Sequence, residues 1–251
     1  MLEDILLFAA IGFAAQMVDG AVGMAYGMTA TSAMVSFGIP PAMASASVHA
    51  AEVVTTGASG LAHCRYGNVR WPLVLRLAVP GMLGGVLGAF LLVAMPVHVI
   101  RPIVSVYLLV LSMVMLWKAL RPRPAAAPMR QGVVVLGATG GFLDAIGGGG
   151  WGPIVASTLI GRGDVPRFTI GSVNMAEFFV TAAVSAAFAS SIGLDLWHVI
   201  LGLIAGGILA APFAALITRK VPDRPLMFIV AGVVCLLSLR NLAVDFAAAF
   251  P

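Results

Sequence analysis

Apolar stretches of about twenty residues, each long enough to cross a hydrocarbon core of about 30 Å, follow one another along almost the whole of this chain. Such segments are read as helices, because a helix closes its N–H and C=O groups internally where no water can. Composition agrees with that reading. Of the 251 residues 61% are hydrophobic and 10% charged, and the mean hydropathy of +1.05 is too high for the surface of a water-soluble domain. The expected fold class is an all-α polytopic membrane protein with nothing left over for a soluble domain.

The net charge of +4 is not a nucleic-acid footprint, since the cations lie in short gaps between apolar segments rather than on one tail or patch. Cys64 and Cys235 form no C-x-x-C and stand far apart, so neither a redox pair nor a thiolate metal site is indicated, and no cofactor is expected. The start, "MLEDILLF", carries Glu3 and Asp4 and no cation before Arg65. A cleaved signal peptide has a basic start, so this segment is expected to be retained.

The chain also repeats itself. A shift of about 125 residues carries "MVDGAVGMAYGM" onto "FLDAIGGGGWGP": Asp19 falls on Asp144, Gly23 on Gly148, Tyr26 on Trp151 and Gly27 on Gly152. Pro41 meets Pro166, "SVHAAE" (47–52) meets "SVNMAE" (172–177), and with one inserted residue Trp71 meets Trp197 and Pro96 meets Pro222. Acids, prolines and tryptophans agree, which shared hydrophobicity alone does not produce. The halves are read as 1–117 and 132–251, joined by a linker at 118–131 rich in proline and cations. Each opens on a glycine-broken segment (5–37; 132–161) and continues into three spans, at about 41–62, 72–94 and 97–117, then 166–190, 196–217 and 225–244.

As one straight helix a broken segment would reach about 50 Å, too long for a bilayer, whereas each arm alone is too short. A re-entrant or discontinuous hairpin fits better. Each half then crosses three times, and the second is inserted upside down relative to the first. Cation counting favours this inverted repeat. With the linker (Lys118, Arg121, Arg123, Arg130) in the cytoplasm, Arg65, Arg70, Arg162, Arg167, Arg219, Lys220 and Arg224 also fall inside. Both termini fall outside, and Arg101 is the one dissenter.

Five glycines within 147–152 cost a helix about 1 kcal/mol each, so the backbone should come apart there. Pro153 suits the first turn of the helix that follows. A helix start presents free N–H groups and about half a positive charge, an anion cradle, and the first-half copy supplies a second from the opposite side. The candidate substrate-binding residues are Gly23, Met24, Ala25, Tyr26 and Gly27 in the first break and Gly148, Gly149, Gly150, Trp151 and Gly152 in the second. Gln16, His49 and Asn174 join them. The plainer alternative is that glycines allow close helix packing, as at Gly84, Gly88, Gly202 and Gly206.

Four acids stand at membrane depth: Asp19 and Asp144 before the breaks, Glu52 and Glu177 within the second segment of each half. An ionised carboxylate there costs at least about 3 kcal/mol and does not persist without partners or work. Two readings stay open, capping of the neighbouring half-helix, which suits the aspartates, and titration during transport, which suits the glutamates. His49 and Asn174 each lie one turn before a glutamate on the same face. Thr29, Ser32, Ser47, Thr55, Thr56, Ser172 and Thr181 are weaker path candidates.

Duplicated halves, each with an Asp before a Gly-rich break ("DGAVGMAYG", "DAIGGGGWG") and a later span carrying "SVHAAE" or "SVNMAE", resemble the sulfite exporter TauE/SafE family, also called 4-toluene sulfonate uptake permeases. The resemblance spans essentially the whole chain. It implies an inner-membrane permease for small sulfur-containing anions such as sulfite or organosulfonates, with neither cargo nor direction named by these residues. The first break has fewer glycines than the second, and His49 stands where the other half has Asn174.

Two other classes are weighed. "GASG" (57–60) matches the G-x-S-G of rhomboid-type proteases, with Ser59 as nucleophile, but His49 and His63 lie on the same helix, and His98 and His198 lie elsewhere. A receptor or structural role is the other. A homodimer through the Gly-rich third segments is a further expectation.

Overall fold

A computed structural model describes residues 2–22, 25–120, 132–193, 195–218 and 223–249. Among them there is no strand. The helices are α1 (Leu2–Val22), α2 (Tyr26–Ser36), α3 (Pro41–Arg65), α4 (Trp71–Ala94), α5 (Val97–Leu120), α6 (Val133–Gly147), a π-helical turn (Gly152–Ala156) continuing into α7 (Ser157–Gly161), α8 (Pro166–Ile192), α9 (Trp197–Thr218) and α10 (Asp223–Ala249). Two interrupted segments are thus each followed by three long helices. Prolines in the first turns of α3, α4 and α8 start those helices where a missing N–H costs nothing.

Among the described residues, four helices are long and apolar enough to span a bilayer: Trp71–Ala94, Val97–Leu120, Pro166–Ile192 and Met227–Ala247. Helix α3, with 25 residues, is long enough but carries His49, Glu52 and a run of Ser and Thr. Two expectations need correction. The first arm of the first break is 21 residues long, about 31 Å at 1.5 Å per residue, so it is not a short arm, whereas α6 with 15 residues is one. Lys118 belongs to the last turns of α5 rather than to the linker, and residues 121–131 lie outside the described chain.

Glycine decides how the helices pair. On α4, Cβ atoms at Gly84 and Gly88 would strike the carbonyls of Ala138 and Phe142 on α6, and on α9, Gly206 and Gly202 meet Ala9 and Ile5 of α1 just as closely. These faces are consumed inside the chain, so the dimer surface expected from them is not available. Gly12 lies against the backbone of Leu203, and Gly137 against that of Leu77. The shift that superposes the halves carries the first pair onto the second. Helices in equivalent places run antiparallel: on α3 and α8, Gly57 meets Phe178 and Gly60 meets Met175, and on α5 and α10, Arg101 meets Asp245.

Two buried clusters result. The larger joins α4, α5, α6, α8 and α10 around Trp151, and the smaller joins α1, α2, α3 and α9 around Met34 and Val48. In the second break, Gly140 on α6 would place a Cβ 3.6 Å from the Trp151 ring and in contact with Val155. The chain after the break therefore folds back along α6 instead of continuing it.

Candidate functional site

The two breaks meet. Gly148 ends α6 with φ +63° and Gly149 has φ +153°, conformations open to glycine at little cost. Their backbone lies directly on α2: a Cβ on Gly27 would be 2.7 Å from the Gly149 Cα. Thr31 donates its hydroxyl to the Gly148 carbonyl at 2.5 Å, and the Tyr107 hydroxyl donates to that of Gly149 at 3.3 Å.

The aspartates cap. Asp19 Oδ1 accepts from the N–H of Ala25 at 2.8 Å and of Tyr26 at 3.2 Å, answering the first free amides of α2. Asp144 Oδ1 accepts from the Trp151 N–H at 2.9 Å, and its Oδ2 lies 3.2 Å from His49 Nε2 in a pair whose side chains are 0% and 2% exposed. His49 Nδ1 is 2.8 Å from the Ser45 carbonyl, which can only accept, so Nδ1 carries a proton.

The glutamates do not cap. Glu52 Oε2 has no hydrogen-bond partner, and Glu52 Oε1 would be 2.9 Å from a Cβ on Gly27. Glu52 and Glu177 line, with Asp19, Asp144, Ala25, Tyr26, Gly27, Met28, Gly150, Gly152 and Pro153, a tight central cavity of about 20 Å³. A second cavity of about 150 Å³, a volume that holds a benzene ring in other proteins, shares Asp19, Tyr26, Glu52 and Glu177 with the first. It runs along α3 past Thr55, Thr56 and Ser59 to His63, and along α8 past Asn174 to Ile170, with Gln16 on the α1 side. Among the described residues, neither lining includes a lysine or arginine.

Of the residues singled out from sequence, all four acids, Ala25, Tyr26, Gly27, Gly150 and Gly152 surround the central cavity, while Gln16 and Asn174 line the vestibule. Gly148 and Gly149 supply the contact between breaks, and His49 reaches the site through Asp144. Trp151 is fully buried outside both cavities, its ring under Gly81 and its Nε1 donating to the Val173 carbonyl at 3.3 Å. Gly23 and Met24 lie outside the described residues. Met28, His63 and Ile170 escaped the sequence reading, as their neighbours in space come from other helices. So did Lys118, whose ammonium donates to the Pro153 carbonyl at 3.2 Å and to the Ser157 hydroxyl, clamping the π-helical turn to α5. Ser59 is no nucleophile: its hydroxyl accepts from Asn174 Nδ2 at 2.7 Å, and no imidazole bonds it.

Residues 8–241 match the family model described as Sulfite exporter TauE/SafE. Over 250 residues, 96% of this chain and 83% of the relative, the sequence is 42% identical to the "Probable membrane transporter protein YtnM" of Bacillus subtilis (strain 168). No solved structure matches the chain. Paired helix breaks over a polar cavity inside an otherwise apolar bundle, together with these matches, lead to one conclusion: the chain belongs to the sulfite exporter TauE/SafE family of membrane transporters.

Proposed function

We propose that the chain is a secondary permease for small sulfur-containing anions, sulfite or organosulfonates, working by alternating access in the inner membrane with protons accompanying the anion. The linker is cytoplasmic, both termini are extracytoplasmic, and the halves are inserted with opposite orientation. Antiparallel equivalent helices support that orientation. The observation that carries the functional reading is the pair of breaks meeting over a cavity ringed by four carboxylates and continuous in its lining with a vestibule.

Electrostatics supplies the coupling. Unit charges 4 Å apart repel by about 4 kcal/mol at an effective dielectric of 20, so an anion cannot share this ring with four ionised acids. The aspartates are committed to backbone amides, and Asp144 to His49 as well. The glutamates are the groups free to carry protons as the anion enters, and Gln16, Thr55 and Thr56 stand around the approach as donors. An alkyl or small aryl group on the sulfonate fits the vestibule volume.

The test is uptake of radiolabelled sulfite into proteoliposomes, with sulfonates, sulfate and carboxylates as competitors. Uptake should saturate, rise as the pH falls, and be competed by sulfonates. In Glu52→Gln and Glu177→Gln the pH dependence should flatten. A pH profile unchanged in both variants refutes proton coupling, and competition by carboxylates alone refutes the cargo.

A further inference from the structure

Buried polar atoms without partners are scarce in proteins, and a membrane offers no bulk water to answer them. Four such side chains lie along one seam of this molecule. Ser32 on α2, Ser105 on α5, and Ser238 and Asn241 on α10 are each at most 2% exposed, and the three hydroxyls and Asn241 Nδ2 have no hydrogen-bond partner. These three helices touch one another.

Their register can be followed from the ion pair. Arg101 Nε lies 3.2 Å from Asp245 Oδ1, with α5 and α10 antiparallel. One turn inward on each, Ser105 and Asn241 come level, and Ser238 lies about a turn deeper. The end of α2 reaches the same pair: Arg240 Nη1 donates to the Ser36 carbonyl at 2.8 Å, and Arg101 Nη2 lies 3.5 Å from that of Val35. Met28 packs in one cluster with Val104, Leu108, Val230 and Val234 of α5 and α10, and Ser32 is one turn after Met28 on that face. Met28 also lines the central cavity. The seam therefore leads from that cavity to Arg101, on the face opposite the vestibule, because α2 ends beside the start of α3 whereas the vestibule follows α3 toward its end.

We propose that this seam is the closed half of the permeation path and that the Arg101–Asp245 pair, flanked by Arg240, is its outer gate, whose guanidinium groups receive the anion when the gate opens. The proposal rests on the transport reading. Apolar side chains would seal a permanent helix contact without unanswered hydroxyls, whereas water or cargo in an opened seam answers all four. Arg101 and Asp245 are 25% and 14% exposed, partly wetted, so exchanging the aspartate for a cargo oxyanion costs little desolvation. The planar guanidinium fork suits a sulfonate or sulfite as well as a carboxylate.

Single cysteines report the seam. In a Cys64→Ala/Cys235→Ala background, Ser105→Cys and Ser238→Cys are labelled in oriented proteoliposomes with a membrane-impermeant thiol reagent added on the Arg101 side. Labelling should be slow with the pair intact, faster by about tenfold or more in Arg101→Ala or Asp245→Asn, and slow again in the swapped Arg101→Asp/Asp245→Arg protein. Equal rates in all of these overturn the gate. Sulfite flux on the same proteins separates the two claims: flux with equal labelling removes the gate alone, and the expected labelling pattern without flux of any tested anion removes the transport reading.

Discussion

Replacing Gly149 by alanine tests the contact that brings the two breaks together. At φ +153° an L side chain costs about 1–3 kcal/mol in backbone strain. The added Cβ would also strike the Met28 nitrogen and lie 2.7 Å from the Gly27 Cα. Both are backbone atoms that no rotamer change can move, so overpacking adds about 1–3 kcal/mol. The total of about 2–6 kcal/mol is a large share of a stability of about 5–15 kcal/mol. Two controls separate its parts. Gly38, with φ +87° and nothing within 4 Å of an added Cβ, isolates the strain, and Gly232, inside α10 with nothing within 4 Å and an ordinary φ, should gain about 0.5–1 kcal/mol as alanine. Thermal unfolding in detergent should rank Gly149→Ala lowest, Gly38→Ala between, and Gly232→Ala at or above the parent, with transport lost first in Gly149→Ala. A Gly149→Ala protein as stable as Gly38→Ala would refute the close approach of the breaks.

Breaking the buried His49–Asp144 pair with His49→Asn should cost about 3–5 kcal/mol, and adding Asp144→Asn should cost much less than the sum of the two single changes. Additive melting shifts in that double-mutant cycle would show that the two side chains do not interact. Lys118→Met removes the clamp on the π-helical turn and should lower stability by about 1–3 kcal/mol while slowing sulfite flux. Unaltered melting and flux would mean that the ammonium is held by solvent rather than by Pro153 and Ser157.

Much of the architecture was legible because membrane insertion restricts it so severely. Twenty-residue apolar runs have to be helices, and the five glycines that follow Asp144 within 147–152 had to mark an interruption, since a helix does not tolerate that many without compensation. What misled was treating segments singly. Arm lengths came from the position of the glycines, yet α1 runs all 21 residues to Val22, because the isolated Gly12 and Gly20 each cost a helix only about 1 kcal/mol and Gly12 packs against Leu203 of α9. Lys118 looked like a loop cation because its acceptors, Pro153 and Ser157, are 35 and 39 residues away in sequence. Arg101 dissented from the cation count because its partner, Asp245, comes from the far end of the chain.

The sequence by itself determined a helical membrane protein with two interruptions beside acids. It did so through local terms: transfer energy, helix propensity and the cost of a lone charge in lipid. Only the tertiary structure decided which acids are spent as caps and which are left free, that His49 answers the acid of the other half, and that the unpartnered hydroxyls of α2, α5 and α10 form one seam. Those outcomes depend on which backbones approach within a few ångströms. Helices close in wherever a glycine on one meets a carbonyl on another, and such a meeting joins residues that no window along the chain contains.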